Sequence, residues 1–200
     1  MFSNPAVEVA PQVYVLSRFV DTAPLLALIE SIAAQSPFRH MVVPGGLTMK
    51  VALSNCGDYG WASDIKAYRY SATDPVSGLP WPAMPQAFSK LGHDAAAVCG
   101  FEQFAPDACL INRYAPGAGM GLHQDKQEKD FSQPIVSVSI GASCKFIVGG
   151  LQRTDPTRSI ALHDGDVMVW GGASRLLFHG VRPLPVSSAV RYNLTFRRAM

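Results

Sequence analysis

In Arg191-Tyr192-Asn193-Leu194-Thr195-Phe196-Arg197 polar and apolar side chains alternate residue by residue. A strand there puts Arg191, Asn193, Thr195 and Arg197 on one face and Tyr192, Leu194 and Phe196 on the other. Similar short apolar runs, bounded by Gly, Pro and Asp, recur in ACLINRYAP, PIVSVSIG, CKFIVGG, RSIALH, DVMVWGG and RLLFHGVRP, so strands are expected throughout 106–200. Asp164-Gly165, between RSIALH and DVMVWGG, predicts a tight hairpin joining those two strands. Helical spacing appears twice. Residues 21–35 carry Leu25, Leu28, Ile29 and Ile32 on one stripe, with Pro24 in the first turn and Asp21 or Thr22 to cap. Residues 85–99 repeat that logic, with Pro85 at the start and Gly100 as the stop. Between the helices, 38–85 shows neither period and reads as hairpins and loops. The expected fold class is mostly β with flanking helices (α+β), its C-terminal half a jelly-roll-like pair of antiparallel sheets.

Composition narrows the class without naming a function. Hydrophobic residues are 48% of the 200 and charged residues 16%, which excludes a disordered or coiled-coil chain and suits one packed domain, 1–200. The formal charge of +2 is too mild to argue for nucleic acid by itself. Cys56, Cys99, Cys109 and Cys144 show no paired spacing and read as buried reduced thiols. With no signal-like start and no long apolar run, a cytoplasmic protein without membrane contact is expected.

Two constellations carry candidate chemistry. His123-Gln124-Asp125 sets an imidazole and a carboxylate two residues apart, on one side of an extended chain. Alone this is a weak motif. His179, beside Phe178 and Gly180, reads as a core histidine when taken by itself, but as a third ligand it completes the two-His, one-carboxylate set of non-haem Fe(II) oxygenases. His163 adjoins the Asp164-Gly165 turn and is expected in a loop. The arginine face of 191–197 has two readings: ordinary solvated surface, or an inward cationic wall for a dicarboxylate, with Asn112 and Tyr114 adding neutral hydrogen bonds. Tyr59, Trp61, Tyr68, Tyr70 and Trp81 either fill a satellite core or form a stacking surface.

The strings NRYAPGAGMGLHQDK, PIVSVSIG, GDVMVWGGASRLLFHGV and RYNLTFR closely resemble the AlkB family of Fe(II)- and 2-oxoglutarate-dependent nucleic-acid dealkylases. SPFRHMVVPGGLTMKVALSNCGDYGW and PWPAMPQ extend the resemblance over nearly the whole chain after about residue 35. It implies a double-stranded β-helix over 106–200 and a nucleotide-recognition lid over 38–85. Iron would be held by His123, Asp125 and His179, with O2 as co-substrate. The 2-oxoglutarate would be held by Arg191 and Arg197, with Asn112, Tyr114 and Asn193 completing its pocket. In the lid, Trp61 would stack on the damaged base opposite His123 and Tyr68 would contact the backbone, with Met49 nearby and Arg153 as a basic group near the pocket. The implied activity is oxidative demethylation of bases such as 1-methyladenine and 3-methylcytosine in single-stranded DNA, by a monomer. RNA or protein substrates, or a non-catalytic nucleic-acid-binding relative, are the alternatives. Two positions depart from the pattern: Gln127 stands where well-known bacterial members carry a carboxylate, and Leu47 replaces a lid tyrosine.

Overall fold

A computed structural model describes residues 5–200 of the chain. In order, the elements are β1 (Val7–Ala10), β2 (Val13–Leu16), α1 (Ala23–Gln35), β3 (Ala52–Gly57), β4 (Gly60–Ser63), β5 (Tyr68–Ser71), α2 (Gln86–Val98), β6 (Ala108–Tyr114), β7 (Met120–His123), β8 (Ile135–Gly141), β9 (Cys144–Val148), β10 (Arg158–Leu162), β11 (Val167–Trp170), β12 (His179–Val181) and β13 (Arg191–Arg197). A major sheet runs β1-β2-β11-β8-β13-β6-β3, a minor sheet β10-β9-β12-β7, and β4-β5 form a separate ribbon. Every named strand pairing is antiparallel. The result is a jelly roll with two helices outside it.

The alternation of β13 explains its central place. It pairs with β6 along one edge and β8 along the other. Its apolar face meets the helices: Phe88 of α2 lies edge-on to Phe196 at 6.0 Å, and Leu25, Ile29 and Ile32 of α1 join the same cluster. Gly92 lets α2 come this close, since a Cβ there would sit 3.2 Å from the Phe196 ring. The polar face is not solvated. Arg191 and Arg197 are 1% and 5% exposed, so the strand is buried on both sides, with its arginines inside the roll. A second apolar cluster, including Phe146, Trp170 and Leu110, fills the space between the two sheets.

The structure corrects the expected hairpin at Asp164-Gly165. β10 pairs with β9 in the minor sheet, whereas β11 pairs with β2 and β8 in the major one. The chain therefore changes sheets at this turn. Gly165 takes a positive φ of 80° and Asp164 does not, and the tight hairpin needs positive φ at both central residues. The Asp166 N–H instead closes on the His163 carbonyl at 3.1 Å, a turn with only its third residue left-handed. Asp164 is used elsewhere: its carboxylate accepts the Thr22 hydroxyl and the Gly141 N–H. Thr22 consequently gives its helix no side-chain cap, and Asp21 accepts the Ala23 N–H at 3.1 Å instead.

Strands β1, β2, β3 and β7 were not visible in the pattern. β7, Met120-Gly121-Leu122-His123, is short and contains a glycine, which lowers strand propensity. β3 lies within 38–85 yet extends the major sheet beside β6. All four cysteines are free and buried. No helix among the described residues is long and apolar enough to cross a membrane.

Candidate metal centre and its pocket

β7 ends and β12 begins on the same pair of opposed residues, His123 and His179. Directly opposed residues share a face, and the two rings meet with centroids 4.3 Å apart. Asp125, two residues past β7, turns into the same space. Its Oδ1 lies 3.8 Å from His123 Nε2 and its Oδ2 3.6 Å from His179 Nε2. One ligand atom from each of the three falls within 4.8 Å of the others.

Each ring is oriented by a backbone carbonyl. His123 Nδ1 faces the Gly121 carbonyl at 2.9 Å, and His179 Nδ1 faces that of Leu177 at 3.2 Å. A carbonyl only accepts, so in both rings Nδ1 carries the hydrogen and Nε2 keeps its lone pair for a metal. Burial, followed by the neighbouring His123, pushes His179 down to about 3, so this ring is neutral at neutral pH. Burial alone would raise Asp125, but the Arg197 guanidinium, 2.7 Å away, outweighs it and holds the carboxyl well below the usual carboxylate range. Two imidazoles and one carboxylate suit a divalent ion such as Fe(II), with positions left open.

The wall opposite is the polar face of β13 with its neighbours. Asn193 donates to Ser137 Oγ and to the Val138 carbonyl at 2.8 and 2.9 Å, and accepts from Thr195 and Asn112. Arg191 donates to Ser139 Oγ at 2.9 Å, and its guanidinium lies 5.1 Å from the centre of the Tyr114 ring. Its Nε and Nη1 are buried without hydrogen-bond partners among the described residues. A buried cation with idle donors is costly unless an anion meets it, and a carboxylate matches the fork of a guanidinium. The donor set therefore fits a 2-oxo dicarboxylate as well as it fits the metal.

The third side is the β4-β5 ribbon. Trp61 lies opposite Tyr70 and Ser63 opposite Tyr68, so Trp61, Tyr68 and Tyr70 share one face. The Trp61 and Tyr68 rings stack at 5.4 Å. Buried Asn55 fixes Trp61 by its backbone, accepting the N–H at 2.9 Å and donating to the carbonyl at 3.0 Å. Metal cluster, arginine wall and aromatic pair border one cavity of about 640 Å³, which every residue assigned from the resemblance lines, Met49, Gln127 and Arg153 included. Arg153 donates to the Leu122 carbonyl at 2.9 Å and leans on Phe178. Leu47 does not line the cavity; it is 75% exposed beside the Gly45-Gly46 turn.

Sequence reasoning missed four side chains. Glu128 and Arg175, 1% and 2% exposed at their side chains, pair at 3.2 Å behind Asp125, and Tyr70 donates to Glu128 at 2.7 Å. A lone Glu and a lone Arg far apart in sequence leave no periodic trace. Ser137 and Ser139 did leave one: they interrupt an apolar strand at alternate positions, the mark of a polar inner face.

The 2OG-Fe(II) oxygenase superfamily matches residues 12–197. The alpha-ketoglutarate-dependent dioxygenase AlkB of Salmonella typhimurium is 52% identical over 197 residues, 95% of this chain and 91% of that protein. That of Escherichia coli is 53% identical over 192 residues, 92% of this chain and 89% of that protein. The solved structure of OsALKBH1 superposes with a TM-score of 0.84 at 27% identity, covering 97% of this chain and all of that one.

Proposed function

The chain belongs to the AlkB family of the 2OG-Fe(II) oxygenase superfamily, and on that premise we propose that it demethylates bases such as 1-methyladenine and 3-methylcytosine in single-stranded DNA. It is an Fe(II)- and 2-oxoglutarate-dependent dioxygenase acting in oxidative dealkylation of nucleic acids. The reading is supported by one convergence: His123, Asp125 and His179, the idle donors of Arg191, and the Trp61–Tyr68 stack all face a single cavity.

With iron, 2-oxoglutarate and O2 in place, decarboxylation to succinate and carbon dioxide puts one oxygen atom into succinate and the other into an N-methyl C–H bond, and the resulting hydroxymethyl group leaves as formaldehyde. His123, Asp125 and His179 hold the metal. Arg191 and Arg197 pair with the carboxylates of the 2-oxo acid, and Asn112, Tyr114 and Asn193 shape the slot between them. Trp61 stacks on the base and Tyr68 extends that surface toward the strand, with Met49 beneath. Arg153 offers its free guanidinium edge to a phosphate.

A target atom inside a duplex must be unstacked to reach this cavity, which favours single strands. A methylated base on RNA presents the same π-face to Trp61, so RNA is a second substrate of the same pocket. The protein works as a monomer in the cytoplasm, where Cys56, Cys99, Cys109 and Cys144 stay reduced. The test supplies Fe(II), 2-oxoglutarate and ascorbate with single-stranded DNA, RNA or peptide carrying methyl groups. Formaldehyde is expected from the 3-methylcytosine oligonucleotides, and its release from the peptide alone would overturn the reading.

A further inference from the structure

Among the described residues no other strand extends the β4-β5 ribbon, yet one of its side chains reaches a cluster of buried charges. The Tyr70 hydroxyl donates to Glu128 Oε1 at 2.7 Å. The same oxygen lies 3.3 Å from Arg197 Nε, and Arg197 Nη2 donates to Asp125 Oδ2 at 2.7 Å. On its other side Glu128 Oε2 meets Arg175 Nη2 at 3.2 Å, and Arg175 Nη1 donates to the Asp125 carbonyl at 2.9 Å. A chain of polar contacts thus runs from the aromatic ribbon to a metal-ligating carboxylate. It starts on the residue directly opposite Trp61.

Arg197 has two claims on it inside this chain. Glu128 is too buried for water to satisfy it, so its Oε1 must be met by Tyr70, by Arg197 or by both. When the phenol is in place, Arg197 is free to face Asp125 and a bound carboxylate. Were the ribbon to move outward and take the phenol away, Glu128 would draw the guanidinium toward itself.

We propose that Tyr70 is a positioning residue that couples the base-binding ribbon to the 2-oxoglutarate site through Glu128 and Arg197. The inference rests on the reading above, in which Trp61 holds the base and Arg197 a co-substrate carboxylate. A base that settles the ribbon inward tightens co-substrate binding, and by linkage bound co-substrate tightens the base to the same degree. Oxidation of 2-oxoglutarate without a base to repair is held down by the loss of the same contact.

Tyr70→Phe removes the hydroxyl and keeps the ring. With Co(II) in place of Fe(II) there is no turnover, and 2-oxoglutarate binding is read by quenching of tryptophan fluorescence. The Kd is expected to rise about five-fold, the worth of one hydrogen bond. A 3-methylcytosine oligonucleotide should tighten 2-oxoglutarate binding in the parent and not in the variant. With Fe(II), the KM for 2-oxoglutarate should rise while kcat at saturation changes by less than about two-fold. In the metal-free protein, amides of 60–71 should exchange faster in Tyr70→Phe. Glu128→Gln supplies the second variant: it keeps an acceptor for Tyr70 and removes the negative charge that draws Arg197, so adding Tyr70→Phe to it should have no further effect on Kd. An unchanged Kd in Tyr70→Phe with the oligonucleotide effect intact, or simple additivity in the double variant, overturns the coupling. Absence of formaldehyde release by the parent protein would count against the function reading, whereas the Kd comparison does not depend on turnover.

Discussion

The two halves of the cavity are built in opposite ways. The arginine wall stands on β13, a seven-residue strand paired along both edges and covered on its outer face by helices, so its side chains are held by neighbours on every side. The aromatic wall stands on two four-residue strands that, among the described residues, pair only with each other. An isolated ribbon of that size has little stability of its own. It is fixed at a few points: Asn55 on the Trp61 backbone, Ser63 on the Val42 carbonyl, and Tyr70 on Glu128. Metal and co-substrate need the same geometry in every turnover. A base delivered on a polymer must be admitted and released, and local openings of low free energy are drawn from weakly packed segments. Rigidity and looseness are thus distributed according to what each wall must hold.

Substitutions on the two walls should separate accordingly. The largest effect is expected for Asp125→Ala or His179→Ala. Loss of an outer-shell partner of a ligand costs about 10–100-fold in metal affinity or activity, so loss of a ligand itself should cost more than about 100-fold in formaldehyde release. Circular dichroism of the variants should stay folded-like, and near-parental turnover by Asp125→Ala would remove it from the metal site. Next comes Arg191→Ala, which should raise the KM for 2-oxoglutarate by about 10–100-fold, the worth of a charge-assisted pair to a buried partner, and leave oligonucleotide affinity measured without 2-oxoglutarate alone. If both constants moved together, the walls would not be separable.

On the loose side, Trp61→Ala should weaken methylated-oligonucleotide binding by about 1–3 kcal/mol, while 2-oxoglutarate consumption without nucleic acid persists. Full repair by this variant would return Trp61 to a packing role. The smallest effect is expected at Gln127. 3-Methylcytosine is cationic and 3-methylthymine neutral, so Gln127→Asp should raise the kcat/KM ratio between them by about 1 kcal/mol if the cavity is partly wet. An unchanged ratio would mean that Gln127, although it borders the cavity, lies too far from the base to sense its charge.

How far the sequence could be read follows the same division. β13 was legible because a strict two-residue period marks a strand and a face, and buried Arg191 and Arg197 only decided which way that face turns. His123 and Asp125 were legible by spacing, whereas their union with His179 depends on a strand pairing that no local pattern encodes. The Asp164-Gly165 turn misled because its dipeptide signals reversal of the chain but not which strand comes next to which. Glu128 and Arg175 stayed hidden because an ion pair across the fold depends on tertiary approach alone. The AlkB likeness only implies roles for Trp61 and Tyr68, since the aromatic-rich stretch that holds them equally suits a small core.

Arg191 and the histidine pair belong to different sheets of the roll, and packed sheets keep a face-to-face gap of about 10 Å. The gap works as a calliper. On the proposed reading, a diacid that would chelate the metal held by the histidines and end on the Arg191 guanidinium must match that span, since neither jaw can slide without unpicking a sheet. Carbon count is therefore measured by the architecture rather than by any one contact: 2-oxo diacids one methylene shorter or longer would each give up one of their two anchors.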